Sequence, residues 1–159
     1  MSVNITGVDE ILLKVSQYNE AYMQKVDEVI ERCVDEGLEV VGEQFNRYDY
    51  PYETGELRGS FVGQVDHNEH SGLITNTARH AVFVEYGTGI KGNNNRHPKA
   101  PEVGYNYDTN NHGEDGWTYF DKFGILRWTA GMPARPFMYY AYLEMLRRVK
   151  RIIQEVFGG

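Results

Sequence analysis

Several stretches of this chain hold residue types that can do chemistry, and each makes a demand on its surroundings. Gly87-Thr88-Gly89-Ile90-Lys91-Gly92 spells the G-x-G-x-x-G of dinucleotide-binding loops. That chemistry needs a strand before the glycines and an amphipathic helix after them, whose N-terminus holds the pyrophosphate. Asn93-Asn94-Asn95-Arg96-His97-Pro98 follows instead, so nucleotide binding is not expected. His67 and His70 lie three apart with Glu69 between them, and Asp108 and His112 lie four apart. A metal-dependent hydrolase could be built on such groups. Both pairs fall in turn or loop sequence, however, without a companion Cys or a His-Glu-x-x-His pattern. Solvated loop histidines are the plainer reading.

Nucleophilic catalysis finds no better footing. Cys33, the sole cysteine, sits on an apolar helical stripe and reads as a core residue rather than an activated thiolate. There is no Gly-x-Ser-x-Gly elbow. The carboxylate pairs Asp35-Glu36 and Glu114-Asp115 are adjacent, so on regular structure they diverge. The chain is therefore expected to be no enzyme and to carry neither cofactor nor metal.

Aromatics are plentiful: 12 Tyr, 7 Phe and 2 Trp. Tyr48, Tyr50, Tyr52, Tyr105 and Tyr107 fall in turn or loop sequence, where tyrosines commonly grip another protein. They can also stack on bases or sugars, but a net charge of −7 favours a protein contact over phosphate binding. A monomeric aromatic-rich module that binds a glycan or peptide through the 91–116 loop is one function compatible with this pattern.

The elements that must position these residues divide the chain into three parts of a single domain. In the first, residues 1–50, apolar residues recur at three- and four-residue spacing from Val8 to Phe45, the signature of one helix, with Thr6 as its expected N-cap. An unbroken helix over 8–46 would run about 58 Å, whereas a compact domain of this length is only about 40 Å across. Such a helix must overhang its own domain and need a neighbouring chain, or break near Gly37 and fold back.

The second part, 51–134, reads as a β-rich body. Ser60–Asp66 and Gly72–Asn76 form one expected hairpin, and Trp117–Thr129 a second, turning around Asp121, Lys122 and Gly124. Ala81–Tyr86 suits a short strand or a helical turn, and residues 91–116 read as a long exposed loop. In the third part, 135–159, a helix runs from Pro136, placed as a first-turn proline, to Phe157. The fold class is α+β: a long N-terminal helix, a small antiparallel sheet of about four strands with a long loop, and a C-terminal helix.

Charge is uneven, acidic over the first 50 residues and basic after 135. These ends can attract each other within one chain or between copies, or be two solvated helix faces. No apolar run approaches the ~18 residues of a membrane span, and no basic-then-apolar leader opens the sequence, so an intracellular, non-membrane protein is expected.

Three blocks remain. They are Thr54-Gly55-Glu56-Leu57-Arg58-Gly59-Ser60, His80-Ala81-Val82-Phe83-Val84-Glu85-Tyr86-Gly87-Thr88-Gly89, and Gly131-Met132-Pro133-Ala134-Arg135-Pro136-Phe137-Met138. In this order, after a long helix, the chain resembles the neck or tail-completion proteins (minor tail components) of long-tailed bacteriophages. The Asn-rich stretch after Gly89 and the tyrosine-rich approach to Thr54 depart from that pattern. Read physically, Thr54-Gly55 is a turn feeding the strand from Ser60, Pro133 and Pro136 flank a rigid turn that aims the last helix, and Arg58 is expected to pair with Glu85.

The resemblance implies a structural virion protein that assembles as a ring of six at the head–tail junction. Its expected partners are itself and the tail terminator, the head-closure ring or the last tail-tube ring, with DNA passing through. It would occupy the host cytoplasm during assembly and the virion afterwards. An acidic ring would let DNA slide rather than stick.

Overall fold

The computed structural model describes residues 8–48, 55–108, 111, 116–121 and 123–158. Thr6, Tyr50, Tyr52, Thr54, His112, the Glu114-Asp115 pair and Lys122 lie outside the described residues. Helix α1 runs without interruption over Val8–Phe45, about 57 Å at ~1.5 Å per residue. Gly37 does not break it. That glycine is buried inside the helix where the Ile74 side chain presses against its Cα, so the missing Cβ gives room to a neighbouring strand.

A helical turn, α2 (Gly55–Gly59), leads into strand β1 (Phe61–Asp66), which pairs antiparallel with β2 (Ser71–Asn76) in the register Phe61↔Asn76 to Asp66↔Ser71. This hairpin packs on α1. Its turn is held there by His70, whose Nδ1 lies 2.7 Å from Asp27, and by His67, 3.6 Å from Glu31. Among the described residues no group of three or more His, Cys, Asp or Glu is arranged to hold a metal.

Helix α3 takes Ala81–Tyr86, α4 Gly89–Asn94 and α5 Ala100–Val103. Hence Ala81–Tyr86 is the helical turn, not the strand. The segment expected as an exposed loop from residue 91 contains helical turns and buried residues, namely Gly92, His97 and Ala100. The second hairpin pairs β3 (Trp117–Phe120) with β4 (Leu126–Thr129). The four strands thus form two separate two-stranded ribbons rather than one sheet. Helix α6 closes the fold over Phe137–Phe157, with Pro136 at its N-cap, one position earlier than expected.

Helices α1 and α6 run antiparallel, as their contacts show: Phe45 meets Phe137, and Tyr22 meets Phe157. The acidic and basic ends of the chain meet within one molecule, through Glu43–Arg148, Glu36–Arg151 and Arg32–Glu155. At the far end of this pair lies the core, in which Phe45, Phe61 and Phe137 contact one another edge to face at 5.4–5.7 Å. Val40, Val41, Leu57, Val84 and Ala141 fill the space around them. Beyond Tyr22 no part of α6 accompanies α1, and Leu13, Val15 and Tyr18 are 58%, 60% and 76% exposed. No helix among the described residues is long and apolar enough to cross a membrane.

Candidate assembly site

Glu85 is the one charged residue in the apolar helix α3, and the residue is only 7% exposed. It faces the start of α6. The backbone N–H of Met138 donates to Oε2 at 3.0 Å and that of Tyr139 to Oε1 at 2.9 Å. A helix leaves its first four N–H groups without intrahelical partners, and α6 has no side-chain cap of its own at Pro136. Glu85 therefore caps it from 53 residues away, where an anion is also favoured by the helix dipole.

His97 completes the arrangement. Its Nδ1 accepts from the Lys99 N–H at 3.0 Å, and its Nε2 lies 3.1 Å from Glu85 Oε1. With Nδ1 used as an acceptor, the proton of the neutral ring sits on Nε2 and is donated to the carboxylate. Every neighbour of Glu85 is then a donor. Burial nevertheless pushes the Glu85 carboxyl up to about 7, against the opposing pull of the α6 amides, and burial also lowers His97. The expected Arg58 partnership does not form: Arg58 lies on the exposed side of α2, while Glu85 is met by α6 and His97. Burial decides this, because the carboxyl points inward at a helix end that already neutralises it.

The residues on either side of Glu85 form the rest of the joint. Thr88 and Met132 exchange backbone hydrogen bonds, the Thr88 N–H donating at 2.9 Å and the Met132 N–H at 3.1 Å. The Arg135 N–H donates to the Val84 carbonyl. Two chain segments can approach this closely only where side chains are missing. Gly87 has φ +81° and a Cβ there would stand 2.6 Å from the Ala134 nitrogen, while Gly131 (φ +86°) lies against the Thr88 carbonyl. The G-x-G-x-x-G letters thus record close backbone packing, preceded by a helix instead of the strand a nucleotide site requires.

The remaining residues singled out by sequence are placed as follows. Leu57 and Phe137 are core residues, Gly55 is exposed at the start of α2, and Gly89 is buried at the start of α4. Ser60 donates its hydroxyl to the Glu56 carbonyl, and Pro133 follows the bridge residue Met132 in the irregular link to α6. Tyr48 packs against the core. Tyr105 is engaged internally, stacked on Tyr86 at 4.7 Å with its hydroxyl donating to the Gly87 carbonyl, and it meets Tyr107 edge-on. His97 carried no local signal in the sequence. Its role comes from Tyr86 and Tyr139, whose rings sandwich it at 4.2 and 5.3 Å.

From this joint an apolar groove of about 760 Å³ runs between α1 and α6. Ile30, Cys33, Val41, Met145 and Val149 line its length, and Glu85, His97 and Lys99 mark its polar end. Burial raises the Cys33 thiol, which makes it an apolar wall rather than a nucleophile.

Comparison with protein-family models, with curated proteins and with solved structures returns no match.

Proposed function

We propose that this chain is a non-enzymatic structural protein of a tailed-bacteriophage virion, forming a ring of six at the head–tail junction that joins or completes the tail and lets DNA pass. The observation that carries the reading is the convergence of the three sequence blocks. Leu57 of the first lies in the core beside Phe137 of the third, and Glu85 to Thr88 of the second hold Met132 to Tyr139. Through these residues the blocks meet in one structural joint. The overhang of α1 supplies an apolar surface suited to a neighbouring copy. In this reading the ring contacts the tail terminator, the head-closure ring or the tail tube.

The test is solution mass by light scattering with negative-stain imaging. Rings near 110 kDa, six times the 18.3 kDa chain, are expected. The groove favours a second reading, a monomeric binding module for a glycan or peptide. A monomer that neither assembles nor joins tail or head components, but binds such a ligand in the groove, would replace the first reading with the second.

A further inference from the structure

The β3–β4 ribbon has an apolar face that is exposed among the described residues. Strand register places Phe120 opposite Leu126 and Thr118 opposite Trp128, and paired residues share a face. Phe120, Leu126 and Trp128 therefore lie side by side, 71%, 59% and 64% exposed, with Ile125 exposed at the turn. An isolated two-stranded ribbon is marginal in water and normally needs a third strand or a helix against its apolar face.

We propose that this face docks in the α1–α6 groove of a second copy of the chain. The proposal rests on the ring reading above and names the contact that would build it. Area is the first argument. Aromatic side chains bury roughly 150–250 Å² each, so the exposed fractions of these four residues leave on the order of 400 Å² of apolar surface. A stable interface covers about 800 Å² per partner, of which somewhat over half is apolar, so the ribbon offers what one side of such an interface needs.

Length agrees. The groove follows α1 from Val29 to Val41, about 18 Å at ~1.5 Å per residue, and a four-residue strand spans about 13 Å. Ribbon and groove are different surfaces, so the contact repeats head-to-tail and closes into a ring when its rotation allows, whereas a reciprocal two-fold pairing would stop at a dimer.

Cys33 in the groove wall provides the probe. In a Leu126→Cys variant under mild oxidation, a ladder of disulfide-linked species beyond dimer is expected on non-reducing gels, and it should vanish when Cys33→Ser is added. Dimers that persist with Cys33→Ser would mean ribbon-to-ribbon contact and overturn the proposal. As a second measurement, Phe120→Ser with Trp128→Ser should weaken self-association on the order of 100-fold or more while the melting temperature of the monomer is kept. Rings that survive this pair of substitutions overturn the docking proposal and leave the ring reading standing. A closed dimer that gives the Cys33 crosslink does the reverse. A wild-type chain that stays monomeric at every concentration overturns the docking proposal.

Discussion

At Glu85 two opposing effects set the proton affinity of one carboxyl. Burial raises it to about 7 from its ordinary 4.5, and the amides at the start of α6 pull it down. Between those two values the folded chain holds a proton that the unfolded chain has released. The contribution of Glu85 to stability is therefore full below about 4.5 and lost as pH rises through about 7. His97 works in the opposite sense, since burial lowers it and favours the neutral ring in the folded state. Thermal melts of wild type and Glu85→Gln should show the variant gaining on wild type between about pH 5 and pH 8, and a constant difference would show that Glu85 does not titrate there. Glu85→Ala, which strips the α6 amides of their acceptor, should cost about 1–3 kcal/mol at neutral pH in denaturant titrations. Gly131→Ala should cost more than about 1 kcal/mol by the same measurement, because its positive φ and the adjacent Thr88 carbonyl leave no place for a methyl group.

Among the elements, helices were the most legible in sequence and the joint between them the least. The three- and four-residue spacing through α1, and Pro136 before α6, locate both helices to within a residue or two. The two hairpins follow from alternation and turn residues. Their failure to merge into one sheet was not legible, because strand order depends on what each ribbon packs against. The first lies on α1, and the second stands beyond the Thr88–Met132 bridge. Nor could local pattern find His97, whose partners are 12 and 42 residues away. Glu85 stands out as a charge in apolar sequence, but sequence alone points to a side-chain partner and not to a helix end. Phe137→Ala, which empties the centre of the aromatic trio, should cost about 3–5 kcal/mol in denaturant unfolding.

Across the whole molecule, the two long helices are tied by charge in both directions. Glu36 and Glu43 of α1 pair with Arg151 and Arg148 of α6, and Arg32 of α1 pairs with Glu155 of α6, while the surface proposed above for association is apolar. Self-association measured by light scattering should therefore persist when salt is raised from about 0.05 to 0.5 M, because exposed charges more than a Debye length apart are already screened at moderate salt. Loss of assembly on adding salt would point instead to a charge-driven contact.

The Thr88–Met132 bridge joins two residues that are 44 apart in sequence. Between them the chain touches the body again, the Tyr105 hydroxyl donating to the Gly87 carbonyl and the Asn95 carbonyl accepting from the Ala134 N–H, before the second ribbon at Trp117–Thr129. The ribbon alone is the guest, since His97, Tyr105 and Asn95 tie the preceding stretch to the body. Chains built this way can lengthen, shorten or exchange the guest while their core and helix pair stay as they are. A lineage of such proteins would be free to change what the ribbon touches many times without relearning how to fold.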